Sequence, residues 1–150
     1  LYGPQGSEKN THNRVFRLLP GYQHHHFDAA TRARFFHSQF RVTDRSDRMG
    51  MRLEGPAVPC PSQQMLSEGI CLGAVQVPAD GQPIVLLNDR QTIGGYPKIG
   101  AIMARDLAQL VQLRPGDAVT FEAVDLYQAQ TINTLAQLKF EATKLLHLKE

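Results

Sequence analysis

The sequence predicts a mainly β protein, a small barrel or sandwich with helical additions. Eight of its 12 glycines and six of its nine prolines lie between residues 50 and 100. Breakers at that density exclude long helices there and leave room for short strands joined by turns. Short apolar or alternating segments recur on both sides of this region. Helical patterning is confined to a segment near residue 30, a short one near residue 107 and the tail after residue 125. At 150 residues, 42% hydrophobic and 20% charged, the chain can bury one core, and its length favours one domain.

The elements follow in order. The lead Gly3-Pro4-Gln5-Gly6-Ser7-Glu8-Lys9-Asn10 reads as a linker. Val15 to Leu19 is an apolar strand stopped by Pro20-Gly21. Asp28 caps a helix through Ala29, Ala33, Phe35 and Phe36 to about His37. Gln39 to Thr43 alternates as a strand does, with Phe40 and Val42 on one face. Val75 and Val77 alternate with Gln76, as in a strand half exposed to a site, whereas Ile84 to Leu87 is apolar on both faces and belongs centrally. Ile99 to Ala104 is a further strand, followed by a short helix that Asp106 caps and that carries Leu107, Leu110 and Val111. Arg114-Pro115-Gly116-Asp117 turns the chain into a last strand holding Val119, Phe121 and Ala123. Asp125 and Gln128 form a capping box for a C-terminal amphipathic helix, whose stripe runs Ile132, Leu135, Ala136, Leu138, Ala142, Leu145 and Leu146.

Composition excludes several functions. Sixteen basic and 14 acidic residues, interspersed and summing to +2, give no electrostatic case for nucleic acid or an anionic membrane. No apolar run approaches the roughly 20 residues of a membrane span, and the N-terminus has no signal-peptide pattern, so a soluble, cytoplasmic protein is expected. Cys60 and Cys71 form neither a C-x-x-C pair nor a disulfide framework. The sequence lacks both a G-x-S-x-G elbow and a Walker loop, so a nucleotide would have to bind at an interface or on another subunit. Three successive histidines, His24, His25 and His26, have no spaced partner, and neighbouring loop residues rarely converge on one ion; no metal site is expected.

The polar residues of the central region are the candidates for chemistry. Arg48 and Arg52, evenly spaced, can grip a carboxylate or phosphate from one face of a strand, or equally guard a strand edge. Asp80-Gly81 sets a turn that brings Gln76 and Gln82 to the ends of neighbouring segments, where their amides can hold a planar amide without charge. Asp89, Gln91 and Thr92 directly follow the aliphatic strand. A carboxylate there can act as a base or orient a nucleophile, or it can simply bond to backbone in the Gly94-Gly95 loop. Glu68 is a general acid or base if buried. Gly94-Gly95-Tyr96 allows a ligand close to the backbone. Gln76, Gln82, Asp89 and Thr92 are expected to line one concavity.

Several ordered strings carry a family resemblance. They are Leu19-Pro20-Gly21, Ser46-Asp47-Arg48-Met49-Gly50, Arg52-Leu53-Glu54-Gly55, the run from Ser67-Glu68-Gly69 to Gly95-Tyr96-Pro97, and Leu113-Arg114-Pro115-Gly116-Asp117. With them the chain resembles the allophanate hydrolase subunit 2 family, which includes the C subunit of 5-oxoprolinase and the KipA-type proteins. The resemblance implies a cyclophilin-like β-barrel over residues 15–124, with residues 1–14 a linker from a missing N-terminal half and residues 125–150 a helix outside the family pattern. It implies a partner of the subunit 1 or KipI-like type and ATP-dependent opening of 5-oxoproline to glutamate, with ATP used by the assembled enzyme. A related branch carboxylates urea from carboxybiotin, and a KipA-like chain can instead bind a KipI-like kinase inhibitor without turnover. The family positions carried over are Asp89 and Glu68 as catalytic groups, with Arg48, Ser67, Gln76, Gln82, Gln91, Thr92 and Tyr96 as substrate-binding groups. The tail helix is expected to mediate self-association or partner binding, the alternative being a helix folded back on its own barrel.

Overall fold

The structure, a computed structural model, describes residues 14–21, 26–59, 68–69, 72–90, 93–94 and 96–149. Ser67, Gln91, Thr92, His24, His25, Cys60 and Cys71 lie outside the described residues. The chain runs β1 (Arg14–Pro20), α1 (Ala29–His37), β2 (Phe40–Val42), β3 (Gly50–Glu54), β4 (Glu68–Gly69), β5 (Ala74–Gln76) and β6 (Ile84–Leu86). It continues through β7 (Ile93–Gly94), β8 (Lys98–Ile102), α2 (Ala104–Leu110), β9 (Ala118–Ala123) and α3 (Leu126–Lys149).

Seven strands close into a barrel in the order β1-β8-β5-β6-β3-β2-β9, while β4 and β7 form a separate two-stranded ribbon. Closure comes from β1 and β9, which pair in parallel from Arg14 opposite Val119 to Leu18 opposite Ala123; the other barrel pairs are antiparallel. A closed ring leaves no edge strand, which suits strands of only three to seven residues.

Alternation fills the interior. Phe16 and Leu18 from β1, Phe40 and Val42 from β2, Val75, Val85, Ile99, Val119 and Phe121 point into one buried cluster. The α1 helix adds Phe35, whose ring stacks on Phe121 at 4.9 Å and 11° and meets Phe40 at 5.6 Å. Asp28 caps this helix as expected, its carboxylate accepting from the Thr31 amide at 2.7 Å. A close backbone approach between β1 and β8 requires glycine at position 100, where a Cβ would stand 2.3 Å from Leu18 Cδ2 and 2.6 Å from the Leu19 carbonyl oxygen.

Three local expectations are corrected. Gln76 is not half exposed but buried, at 7%. Both faces of β5 are covered here: Val75 enters the core, Ala74 packs with Ile84 and Leu86 on the other side, and the register against β8 shifts between Val75 and Gln76. Asp106 does not cap α2. The cap position is Met103, without a side-chain bond, and Asp106 turns instead to Arg17. Val111 and Ala123 are exposed rather than on buried faces.

The capping box at the start of α3 is present in full. The Asp125 amide donates to Gln128 Oε1 at 2.9 Å and the Gln128 amide donates to Asp125 Oδ1 at 2.7 Å. Ala129 and Ile132 then pack with Met103, Val124 and Leu19. Beyond Ile132 the helix leaves the barrel, and Leu135, Leu138, Leu145 and Leu146 are each at least 60% exposed.

Candidate functional site

The short strand β6 divides the candidate residues. Gln82 precedes it and Asp89 follows it, with extended chain from Gln82 to Leu87 covering roughly 16 Å at about 3.3 Å per residue. Backbone pairing assigns the others to one end or the other. Gln76 stands opposite Ile84 and Lys98, and the Val77 amide donates to the Pro97 carbonyl, so Gln76, Gln82 and the half-exposed Tyr96 belong to one end of the barrel. At the opposite end Gly50 stands opposite Leu86, the Leu87 amide donates to the Met49 carbonyl and the Asp89 amide to the Arg48 carbonyl. Arg48 and Asp89 are thereby brought together.

Their side chains meet with Arg48 Nε 3.2 Å from Asp89 Oδ2. Asp47 stiffens the turn beneath them: its Oδ1 accepts from the amides of Met49 and Gly50 at 2.9 and 3.2 Å. Since Arg48 lies in this turn, two residues before β3, strand alternation does not relate it to Arg52, which faces elsewhere: Arg52 stands opposite Ile84 and is exposed.

Arg48 borders a cavity of about 480 Å³ whose polar rim is Asp47, Arg48 and Asn88. Its apolar wall comes from Leu72 and Leu87 on one side and from Leu107, Ala108 and Val111 of the α2 segment on the other. One guanidinium, one amide and the Asp47 carboxylate, whose Oδ1 is already held by backbone amides, stand over an aliphatic wall and suit a small ligand with polar groups and an apolar body.

The position of α2, and so the shape of that wall, depends on a partly buried ion pair that sequence reasoning missed. Arg17 of β1 donates to Asp106 three times, from its backbone amide at 2.6 Å, from Nε at 3.0 Å and from NH2 at 2.6 Å. Burial favours the neutral Asp106 carboxyl, but the hydrogen bonds and charge of Arg17 outweigh it and hold the carboxyl below its ordinary range. The same bonds raise Arg17. A contact spanning 89 positions in sequence leaves no local signal.

Gln82 has a different neighbourhood. Its Oε1 accepts from the Gly55 amide at 2.8 Å, and it lines an open cavity of about 490 Å³ with Gln39, Arg41, Arg45, Glu54 and Gly55. Neither Gln76 nor Asp89 borders that cavity. The expectation of one shared concavity is therefore corrected for Gln76, Gln82 and Asp89, Thr92 lying outside the described residues: Gln82 and the Arg48–Asp89 pair occupy opposite ends of the barrel. Glu68 is placed by backbone alone, paired with Gly94 across the β4–β7 ribbon. Among the described residues no cluster of His, Cys, Asp and Glu could hold a metal ion, and no helix is long and apolar enough to cross a membrane.

The closed seven-stranded barrel with its added helices is a mainly β class of protein. Residues 3–123 match the family described as carboxyltransferase domain, subdomain A and B, and the chain belongs to that family. It is 41% identical over 130 residues to the C subunit of 5-oxoprolinase from Escherichia coli K12, covering 86% of this chain and 42% of that protein. The Haemophilus influenzae protein of the same name is 40% identical over 116 residues, covering 77% and 38%. The chain thus spans about two fifths of the length of these curated relatives. The crystal structure of Kluyveromyces lactis urea carboxylase superposes with a TM-score of 0.72 at 22% identity, over 79% of this chain and 11% of that one, a likeness of fold.

Proposed function

We propose that this chain is part of a subunit of an ATP-dependent 5-oxoprolinase-type enzyme and that the cavity beneath Arg48 receives the substrate. Identity to the 5-oxoprolinase C subunits of two bacteria supports the class of reaction. The observation that carries the site is the meeting of Arg48 and Asp89 at the rim of a cavity with an aliphatic wall. A five-membered lactam bearing a carboxylate matches that chemistry: the carboxylate pairs with Arg48, the lactam amide bonds to Asn88, and the ring methylenes lie against Leu72, Leu107 and Val111. Asp89 fixes the direction of Arg48 and is a positioning residue. The ATP site lies on a subunit 1-type partner or at its interface, since this sequence has no Walker loop.

The second reading, transfer of a carboxyl group from carboxybiotin to urea or a related amide, is favoured by the family description. It uses the same amide-binding cavity but gives Arg48 no substrate carboxylate to hold. Binding separates the two. Titration of the chain with 5-oxoproline is expected to move the resonances of Arg48, Asn88 and Leu107, and Arg48→Ala is expected to abolish the shifts. Shifts with urea but not with 5-oxoproline favour the carboxyltransferase reading. ATP-dependent glutamate release on co-expression with a subunit 1-like partner is the expected activity; a stable complex with no turnover favours a KipA-like binder.

A further inference from the structure

The opposite end of the barrel carries a second constellation that this function leaves unused. Arg41 of β2 stands directly opposite Glu54 of β3 in the strand register, and both side chains face out of the barrel. Antiparallel neighbours of opposite charge ordinarily pair. These two do not: Arg41 donates from NH1 to the Gly116 carbonyl oxygen at 2.9 Å, and among the described residues no ion pair joins Glu54 to Arg41 or Arg45. Arg45 projects from the turn after β2 with no side-chain partner among the described residues. Gln82 is held by its oxygen to the Gly55 amide, which fixes the amide plane and leaves its NH2 group unused. All of these groups line the cavity of about 490 Å³.

The lining therefore presents two guanidinium groups, one carboxylate, the Gln39 amide and the free amide N–H bonds of Gln82, with no ion pair between the opposite charges. Two guanidiniums against one carboxylate attract an anion, but a simple anion leaves Glu54 without a counter-charge, and a simple cation meets both arginines. A ligand that carries both charges close together satisfies the set.

We propose that this cavity binds a free polar α-amino acid as its zwitterion. The α-carboxylate lies between Arg41 and Arg45, the α-ammonium faces Glu54, and a side-chain carbonyl accepts from Gln82 Nε2. Arg41 keeps donors for the carboxylate while one is committed to Gly116, because a guanidinium has five. The volume exceeds that of a single amino acid, so the site selects by charge pattern more than by shape. It lies across β6 from Arg48, and neither its existence nor its test depends on what the Arg48 cavity binds.

The test is an amide-resonance titration of the 150-residue chain with three probes: L-glutamine, N-acetyl-L-glutamine, which lacks the ammonium, and L-glutaminamide, which lacks the carboxylate. L-Glutamine is expected to give saturable shifts at Arg41, Arg45, Glu54, Gly55 and Gln82, with each analogue at least tenfold weaker. Glu54→Gln is expected to remove the preference for L-glutamine over the N-acetyl analogue, and Arg45→Gln the preference over glutaminamide. Both positions are exposed, so the unperturbed resonances of Phe35 and Phe121 report that each variant is folded. No saturable shift with L-glutamine overturns the proposal. So does equal binding of the N-acetyl analogue, which would mark an adventitious anion only, and so does an unchanged preference in the Glu54 variant.

Discussion

Replacing Asp106 by alanine tests how the barrel holds α2 and, through it, the cavity wall. The substitution removes three hydrogen bonds to Arg17, one from its backbone amide and two from its guanidinium. Bonds to a charged group contribute about 1.5–3 kcal/mol each net to stability, and removing one partner of a fully buried pair costs about 3–5 kcal/mol. Here the side chains retain 31% and 11% of their exposure, so solvent screens part of the effect, and the expected cost is about 2–3 kcal/mol. For a chain of this length that lowers the melting temperature by about 5–10 °C. The pH dependence has a definite sign. Because Arg17 holds the folded Asp106 below its unfolded value of about 3.9, the stabilisation is complete above about pH 5 and is lost as pH falls through the folded value. Urea unfolding of the parent and of Asp106→Ala is expected to show the full gap at pH 7 and a narrowed one near pH 3, and Arg17→Met is expected to be less than additive with Asp106→Ala. A cost under about 0.5 kcal/mol at pH 7, or a gap unchanged in acid, would refute the assignment.

Three further outcomes are expected. Gly100→Ala places a methyl group 2.3 Å from Leu18 Cδ2 and 2.6 Å from the Leu19 carbonyl oxygen, and is expected to lower urea stability by about 2–3 kcal/mol; a neutral variant would show that β1 and β8 can separate freely. Asp89→Asn breaks an exposed ion pair worth about 1 kcal/mol at most, so melting is expected to change by no more than about 4 °C while turnover of the assembled complex falls several-fold; normal turnover would reduce Asp89 to a surface partner of Arg48. The exposed leucines of α3 are expected to drive self-association, seen as a mass above the monomer in light scattering and returned to monomer by Leu138→Glu with Leu145→Glu. A parent chain that is monomeric throughout would exclude it.

Sequence alone makes legible what neighbouring residues decide. Asp28 caps α1 because the acceptor it supplies lies three residues from the amide that needs it, and the same holds for Asp125 and Gln128 at α3. The alternation of Phe40 and Val42 survives because β2 is a two-sided strand with one face in the core. Gln76 defeats pattern reading because its burial is set by what covers the outer face of β5, which lies on other strands. Asp106 has the sequence context of a cap, the commonest use of an aspartate at a helix start, but its true partner is 89 residues away. Phe35 is recognisable as an apolar residue of α1, whereas its stacking on Phe121 follows from the barrel closing beneath it.

The division of the site residues, by contrast, is open to deduction. A turn at Asp80-Gly81 places Gln82 at the start of β6, and a run that reads as strand through Leu87 places Asp89 past its end. Side chains at opposite ends of one extended segment cannot meet around a small ligand, whatever their polarity, since roughly 16 Å of strand separates them. Polar residues clustered in sequence around a short strand therefore define two ends rather than one site. In this barrel the consequence is a division of chemistry: one guanidinium, one carboxylate and one amide rim an aliphatic wall at the Arg48 end, whereas two guanidiniums, one carboxylate and two amides gather at the Gln82 end. The first favours a compact ligand with an apolar body, and the second a polar ligand carrying both charges.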